Sequence, residues 1–389
     1  MSGDEEGPGP EAPHGSRDVA RPARILRRPA PTMVDIARAS GVSQATVSRI
    51  LSGAPTPVRV GQGTRDRVMA VASELGYRPN PHARGLRGAP TMLLGVIVRE
   101  ITEPFFAGAI EAVTTEAGGH GYNVVLGHAH GRADEAIALH GVLETRHCDG
   151  LLLLGDVSDQ PSLVEDLRRS SLPVVALWQG SPLEGIPTVN VDNRWGIYAA
   201  LDRLVGLGHR QIAFIGGRRI GDVRERRAAF RSYMKRHALE IPDGYVQLLD
   251  GSAEAGDVGM RELMALPVPP TAIVASTDVV AIGALHAAAE LGVRIPDDVS
   301  VIGFDDIPAA RFGVPSLTTL HQPVGEMAAV AVRIAVDAIG GSAEPGVTSR
   351  PNHLLRPTLV ERRSVGPAPV RAHLQTTSGN GVPRPDSST

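Results

Sequence analysis

The stretch Gly41–Leu51, GVSQATVSRIL, constrains the fold most, because its small and apolar residues are spaced as two packed helices require. A small residue lets two helices approach closely, a glycine makes the tight turn, and two apolar residues anchor the second helix. The residues in these places, at steps of four, six and three along the chain, are Ala37, Gly41, Val47 and Ile50. The spacing predicts a helix-turn-helix, although an ordinary pair of packed helices would also satisfy it.

The charge of the chain is distributed unevenly around this stretch. Residues 17–87 contain 13 arginines against four acidic residues, whereas the whole chain has a formal net charge of −3. A basic N-terminal segment on an acidic body is typical of a protein that contacts nucleic acid, whereas a solvated charged face mixes both signs. The asymmetry therefore favours a DNA-binding helix-turn-helix over an ordinary helix pair.

The composition argues against several classes of protein. With 389 residues, of which 42% are hydrophobic and 21% charged, the chain is long enough for two or three soluble domains. No apolar run approaches the roughly 18 residues of a membrane span, and the N-terminus lacks the apolar core of a signal peptide. The only cysteine, Cys148, precedes an apolar run and is expected to be buried. We therefore expect a cytoplasmic protein with no membrane partner, no metal and no cofactor.

Shifts in composition predict five segments. Residues 1–31 are rich in Gly, Pro and charge and are expected to be disordered. Residues 32–78 form the helix-turn-helix domain, and residues 79–90 form a hinge whose prolines and glycines weaken any helix. We expect the hinge to be loose in the free protein and ordered on DNA. Residues 91–363 form the body, and residues 364–389 form a second disordered tail.

A third helix of the N-terminal domain is predicted over the stretch TRDRVMAVASELGY. Its apolar residues follow the spacing of one helical face, at Val68, Val71, Ala72 and Leu75. Three short helices of this size make a small all-α headpiece.

From Met92 onward, short apolar strands alternate with helical stretches in two successive series. Alternation of this kind predicts parallel sheets with helices on both faces, and two series predict two lobes. The last helix, near residues 324–339, is expected to return to the first lobe. Ligands of such sheets bind beyond the carboxyl ends of the strands, so the residues that follow each strand are the candidates for a site.

Several motifs together resemble the lac-repressor (LacI/GalR) family of bacterial transcription regulators. They are ASGVSQATVSRILSG, ELGYRPNPHARGLR, GVIVREITEPFFAG, GHRQIAFIGG, ELGVRIPDDVSVIGFDDI and PSLTTLHQP, in that order from about Thr32 to Arg363. The resemblance implies a helix-turn-helix headpiece and a two-lobed α/β effector domain like a periplasmic sugar-binding protein, with three crossover strands. The chain departs from the family pattern at Gly61, where a helix-capping Ser is customary, in a slightly longer loop at residues 56–63, and in both tails.

The second helix of the headpiece carries the candidate DNA contacts. An α-helix fits the major groove, where Gln pairs with adenine, Arg with guanine, and Ala packs on a thymine methyl group. The resemblance assigns base reading to Gln44, Ala45 and Arg49. Short hydroxyl side chains suit phosphates, which position the helix without reading sequence, and these are Ser43, Thr46 and Ser48.

The hinge contains an apolar residue, Leu86, with nothing local to bury it. An apolar wedge driven into the minor groove would unstack and kink the duplex, as the hinge leucine of the family does, and Arg84 and Arg87 would then lie beside that groove. Packing of Leu86 on the body is the alternative. Two hinges must lie side by side, so the resemblance implies a homodimer or tetramer on a near-palindromic double-stranded operator.

The candidate effector site lies behind the strands of the body. Arg99, Glu100, Phe105 and Phe106 follow the first strand, and Trp178 follows VVAL, where family members often carry Asp. Trp178 could stack on a sugar ring or pack in the core. The motifs RERRAAF and GFDD resemble family motifs that place the ligand-gripping arginine at Arg226 and its acidic partner at Asp305. Asp278 could contact the ligand or cap a helix.

These donors and acceptors suit the hydroxyl groups of a sugar or related polyol. We therefore expect a repressor that is not an enzyme and that responds to a carbohydrate effector. Three alternatives remain: a solute-binding protein of the same fold, a nucleotide-dependent enzyme, and a regulator that senses a partner protein. The missing signal peptide and added headpiece argue against the first, and the spacing of GGRRIG does not match a nucleotide-binding loop.

Overall fold

The computed structural model describes residues 31–52, 60–77, 90–145, 148–217, 221–341 and 352–370. They fall into two compact units, one within residues 1–83 and the other within residues 84–389. The predicted N-terminal tail 1–30 lies outside the described residues, as do residues 371–389 of the predicted C-terminal tail. Hinge residues 79–89 also lie outside them, including Arg84, Leu86 and Arg87.

The described residues of the first unit form three helices, which are α1 (Met33–Ser40), α2 (Gln44–Ser52) and α3 (Gln62–Glu74). Helix α1 begins with a capping box, in which the Thr32 side chain and the Asp35 carboxylate each satisfy a backbone N–H of the other residue. The turn to α2 is made by Gly41 at φ 67°, a left-handed conformation that a residue with a side chain rarely adopts. The predicted helix-turn-helix is therefore confirmed.

The core of this unit is formed by the residues that the spacing selected. Ala37, Val47 and Ile50 are buried together with Ile36, Val68 and Ala72. The prediction for Leu75 is wrong, because it follows the last residue of α3 and its side chain is 41% exposed. Helix α3 begins at Gly61 with no side-chain cap, since glycine has no oxygen to offer the first N–H groups.

The second unit contains two six-stranded sheets. The first sheet has the order β11-β5-β4-β3-β1-β2, and the second has the order β12-β10-β9-β8-β6-β7. All neighbouring pairs are parallel except β10 with β12. The strands are β1 (Leu93–Val98), β2 (Asn123–His128), β3 (Gly150–Leu154), β4 (Val174–Leu177), β5 (Thr188–Val191), β6 (Ile212–Gly217), β7 (Val246–Leu249), β8 (Ala272–Ala275), β9 (Ser300–Asp305), β10 (Thr318–His321), β11 (Asn352–Leu355) and β12 (Thr358–Val360).

In the described part of this unit, eight helices pack against the sheets. They are α4 (Pro104–Gly119), α5 (Ala133–Thr145), α6 (Pro161–Arg168), α7 (Asn193–Gly206), α8 (Gly221–Arg236), α9 (Ala253–Met264), α10 (Asp278–Glu290) and α11 (Val324–Ile339), with a 3₁₀ turn at Pro308–Arg311. Each sheet with its helices forms one lobe, so the predicted two-lobed α/β class is confirmed. Among the described residues, none of the helices combines the length and apolar character needed to cross a membrane.

The described chain passes between the lobes three times, as the family resemblance implied. It leaves the first lobe after β5, returns after β10, and leaves again between β11 and β12. Helix α11 packs on β3, β4 and β5 of the first lobe, which confirms the predicted return. The two sheets are thus joined at one end by three crossing segments, an arrangement that lets them hinge about that end.

Two local expectations have different outcomes. Cys148 is buried as expected, and burial raises the pKa of its thiol to about 11. The predicted tail, in contrast, starts too early at residue 364. Ser364 is fully buried and its Oγ donates to Val301 O at 2.6 Å, while the Ala368 N–H donates to Leu207 O. The segment stays ordered because β-type hydrogen bonds to the second lobe satisfy its backbone.

Candidate functional site

Helix α2 presents two different faces. Val47 and Ile50 point into the headpiece core, whereas Gln44 and Ala45 are exposed and Arg49 is half-buried. The three predicted base-reading side chains therefore share the solvent side of one short helix. A helix with such a face can be placed in a major groove without breaking its own core contacts.

The hydroxyl side chains of this region partly serve the helix itself. Ser43 Oγ accepts a hydrogen bond from the Thr46 N–H at 3.2 Å and lies 2.9 Å from Thr46 Oγ1. Ser43 therefore caps the N-terminus of α2. Ser48 is half-buried one turn further along. The N-terminus of a helix favours anions, so the same residues suit a phosphate contact.

A cavity of about 670 Å³ lies in the second unit, where the carboxyl ends of both sheets face one another. Seven of the eight predicted effector residues line it, namely Arg99, Glu100, Phe105, Phe106, Trp178, Arg226 and Asp305. The side chains come from both lobes, so a molecule in this cavity would contact both sheets at once. Its position agrees with the rule that open α/β sheets bind ligands beyond their carboxyl ends.

Arg226 on α8 is the most extensively bonded side chain of the cavity. Its Nε donates to Asn193 Oδ1 at 2.8 Å, and its Nη1 donates to Ser276 O at 2.7 Å. Nη1 also lies 3.3 Å from Asp305 Oδ1, and the guanidinium carbon lies 3.6 Å from the centre of the Phe304 ring. The guanidinium is only 3% exposed and is held in one orientation, as a fork of donors aimed at a ligand must be.

Asn193 orients this arginine. Its amide nitrogen donates to Asp222 Oδ1 and to Glu225 Oε2, each at 2.8 Å, while its oxygen accepts from Arg226. The preceding Asp192 caps α7 by accepting from a backbone N–H. The pair therefore joins the first crossing between the lobes to the arginine of the cavity.

The aromatic side of the cavity is formed by three rings in edge-to-face contact. Trp178 lies 5.3 Å from Phe105 and 6.1 Å from Phe106 between ring centres, with interplanar angles of 89° and 84°. Its Nε1 donates to Gln322 Oε1 at 3.1 Å, and Gln322 Nε2 donates to Asp305 Oδ1 at 2.7 Å. Trp178 thus belongs to the cavity wall and to the core at once, because only 2% of it is exposed.

The backbones of the two lobes touch at one side of the cavity. Asp156 Oδ2 accepts from the Gly221 N–H at 2.6 Å, which joins the end of β3 to the start of α8. Gly180, at φ 64°, approaches the same helix so closely that an added Cβ would lie 2.5 Å from Asp222 N and 2.7 Å from Gly221 Cα. We call this set, Asp156, Gly180 and Gly221, the inter-lobe contact.

Two predicted residues of the first lobe are already engaged within it. Arg99 donates to the backbone oxygen of Asp156 and lies 3.6 Å from Asp159. Glu100 accepts from Thr102 Oγ1 at 2.8 Å and lies 3.4 Å from His128 Nε2. Both side chains line the cavity, but groups of the protein itself already pair with their charges.

Asp278 is placed differently from the other seven. It is fully buried, and its carboxylate accepts from the Ile307 N–H at 2.9 Å and from Thr319 Oγ1. Thr277, which lines the cavity, caps α10 in its place. Asp278 therefore fastens the loop after β9 and is not part of the cavity wall.

Burial raises the pKa of several carboxyl groups here. The pKa of Asp305 rises to about 7 because of burial, although Arg226 opposes the rise. Burial also raises the pKa of Asp222 and of Glu103, again against the field of Arg226. Burial thus favours the neutral, protonated form of these carboxyl groups, whereas Arg226 favours their charged form.

The sequence reasoning did not select Asp156, Asp222, Ser276 or Gln322, which also line the cavity. Asp156, Ser276 and Gln322 follow β3, β8 and β10, so the rule that selects residues after each strand would have found them. Asp222 has no such signal, because it lies in the first turn of a helix.

Each of the two units contains a region that resembles known proteins. Residues 32–80 match the sequence model of bacterial regulatory proteins of the lacI family, and residues 201–365 match that of a periplasmic binding protein-like domain. The HTH-type transcriptional repressor CytR of Escherichia coli K12 is 34% identical over 313 residues, covering 80% of this chain and 91% of CytR.

Solved structures of regulators also resemble the chain. The lac repressor dimer bound to operator and the anti-inducer ONPF has a TM-score of 0.77 at 28% identity, covering 86% of this chain and 99% of that one. The complex of the transcriptional regulator CelR with cellobiose has a TM-score of 0.63 at 30% identity, with the same coverage of 86% and 99%.

Proposed function

We propose that this chain, which belongs to the lacI family of bacterial regulatory proteins, is a repressor controlled by a small molecule bound between its lobes. As a member of a family of transcriptional regulators, it is not an enzyme. The proposal also covers the chemical class of the effector, the residues that bind it and the conformational change by which it acts. Cytoplasmic location and a homodimeric state are part of the same proposal.

The observation that carries the effector proposal is the fixed guanidinium of Arg226 in a cavity shared by both lobes. Arg226 and Asp305 present a donor fork and a carboxylate, the pair of groups that binds vicinal hydroxyl groups. Beside them, Phe105, Phe106 and Trp178 offer apolar surface to the face of a sugar ring. CelR was solved with cellobiose, which supports a carbohydrate as the effector here.

For the DNA side, we propose that α2 reads bases with Gln44, Ala45 and Arg49. This proposal is supported by their exposure on one face of α2 and by the structure of the lac repressor dimer on its operator. Leu86 of the hinge would act as the minor-groove wedge, which requires two copies of the chain on a near-palindromic site.

We further propose that the effector acts by changing how the lobes close. A ligand shifts such an equilibrium only through its different affinity for the two arrangements. In this chain the closed arrangement includes the inter-lobe contact and the hydrogen bonds that join Trp178 to Gln322 and Asp305. A ligand that contacts both walls would stabilise or strain these bonds, and thereby alter the spacing of two hinges in a dimer.

The experiment uses Arg226→Ala with Arg231→Ala as its control, because Arg231 is exposed on the same helix. An operator is selected from random duplexes with the full-length protein, and effectors are found by thermal shift against a sugar panel. We expect Arg226→Ala to bind the operator as the parent does but to lose the response to the effector, and Arg231→Ala to keep both. A normal response in Arg226→Ala would show that the ligand binds elsewhere.

A further inference from the structure

The cavity between the lobes carries an excess of acidic side chains. Among the described residues, two guanidinium groups line it against six carboxyl groups, those of Glu100, Glu103, Asp156, Asp222, Asp250 and Asp305. Arg218 and Arg219 lie next in sequence to the cavity residue Gly217, outside the described residues. Counting both as cavity charges would still leave the carboxyl groups in the majority.

The two arginines of the cavity are already committed to protein acceptors. Arg99 donates to a backbone oxygen and pairs with Asp159. Arg226 donates to Asn193 and Ser276 and pairs with Asp305. An anionic ligand would therefore meet arginines whose charges are already paired while it approached several acidic side chains, which is electrostatically unfavourable.

Two polar groups of the wall lack a protein partner. Glu103 precedes α4, and its carboxylate makes no hydrogen bond or ion pair within the described part of the chain. Ser276 Oγ is fully buried at the cavity and has no hydrogen-bond partner there either. Buried polar groups are normally satisfied, so Ser276 Oγ points to a ligand that supplies its partner, and the half-buried Glu103 carboxylate of the same cavity is open to the same ligand.

Phe105, Phe106 and Trp178, which we call the aromatic corner, also favour a positively charged ligand. Phe105 and Phe106 meet at 70° with their centres 5.5 Å apart, and each ring is nearly perpendicular to that of Trp178. The faces of aromatic rings attract cations, and rings set at angles to one another are a frequent means of holding an ammonium group. Carboxylates on one side and ring faces on the other are complementary to a positive charge.

We propose that the effector is a small cation, an amine carried on a hydroxylated ring or chain, such as an amino sugar. This inference rests on the proposed function and narrows its ligand class. The ammonium group would meet Glu103 and the neighbouring carboxylates. The hydroxyl groups would meet Arg226 and Ser276, and the apolar face of the ligand would rest on the aromatic corner.

The test compares three matched sets of probes on the full-length protein. D-Glucosamine, D-galactosamine and D-mannosamine are each measured beside the neutral parent sugar and its 6-phosphate, at equal ionic strength near neutral pH. Binding is followed by tryptophan fluorescence and thermal shift. We expect at least one amino sugar to bind on the order of tenfold more tightly than its parent, and the phosphates not to bind.

Two variants test whether the Glu103 carboxylate binds the ammonium group. Glu103→Gln is expected to reduce the advantage of the amine over its neutral parent, whereas Glu111→Gln, exposed on the same helix, is expected to keep it. The inference is overturned if no amino sugar exceeds its parent, if a sugar phosphate binds better, or if Glu103→Gln leaves the advantage unchanged. A neutral sugar that alters operator affinity at a lower concentration than any amino sugar does would overturn this inference alone. Failure to prefer any operator over random duplex would overturn the proposed function instead.

Discussion

Replacing Gly180 by Ala should separate the two lobes of the body. An Ala at φ 64° costs roughly 1–2 kcal/mol, because its Cβ crowds the following carbonyl. The same Cβ would lie 2.5 Å from Asp222 N, whereas ordinary contacts begin near 3.4 Å, so the start of α8 must recede by about 1 Å. A shift of that size breaks the 2.6 Å hydrogen bond from the Gly221 N–H to Asp156.

The loss of that bond, made to a charged acceptor, costs about 1.5–3 kcal/mol. The backbone cost at residue 180 is the same with the lobes open or closed, so the closed arrangement is destabilised by about 1.5–3 kcal/mol, which is roughly ten- to a hundredfold in population. Hydrogen–deuterium exchange at the first turn of α8 reports this directly and requires no ligand. We expect exchange there to accelerate by roughly ten- to a hundredfold in Gly180→Ala, and the operator response to the effector to disappear.

Gly185→Ala is the matched control, because Gly185 also has a positive φ, 76°, and lies in the same connection between β4 and β5. Its added Cβ would meet nothing closer than Arg168 Nε at 3.4 Å, so it carries the backbone cost without the collision. Unchanged exchange in Gly180→Ala, or equal acceleration in Gly185→Ala, would refute the reasoning, since the collision would then not govern closure.

Three further predictions concern the DNA contacts and the charge of the cavity. Leu86→Ala should weaken binding to a selected operator much more than binding to random duplex in anisotropy titrations, and equal losses would exclude a wedge. Arg49→Ala should cost about 1–3 kcal/mol at one base pair, read from a panel of single-base operator variants, and an unchanged preference would remove Arg49 from base reading. Because burial raises the pKa of Asp305 to about 7, the folded state holds a proton that the unfolded state has lost between about pH 4 and 7. Its stability should fall as pH rises through that window, by up to about 1.4 kcal/mol per unit, and Asp305→Asn should flatten the slope in denaturant titrations; an unchanged slope would assign it to other groups.

Most of the fold could be predicted from local sequence patterns. The strands and helices of both lobes follow from apolar runs and their alternation, and the helix predicted near residues 324–339 has those bounds, Val324–Ile339. The misjudged start of the C-terminal tail has a different cause. Ser364 is polar, and its order depends on hydrogen bonds to Val301, more than 60 residues earlier in the chain. No local window contains that information.

The residues of the cavity likewise divide into those that local sequence patterns predict and those that depend on contacts with distant residues. Residues that follow a strand or match a motif, such as Trp178 and Arg226, could be named from sequence, because the carboxyl ends of parallel strands converge. Asp278 also follows a strand closely, but its carboxylate does not line the cavity, because it accepts hydrogen bonds from the Ile307 N–H and from Thr319 Oγ1. Which of two neighbouring side chains faces the cavity is decided by such contacts, and these exist only once the second lobe has folded.

The bonds around Arg226 connect the cavity to the point where the lobes are joined. Trp178 of the first lobe bonds to Gln322, Gln322 bonds to Asp305, and Asp305 pairs with Arg226. Arg226 in turn holds Asn193, the first residue of the helix that follows the β5 crossing. A ligand that competes for Arg226 or Asp305 must therefore change the bonds of a residue at the crossing itself. Such a continuous set of bonds gives a ligand different affinities for the open and closed lobes, which coupling to DNA requires.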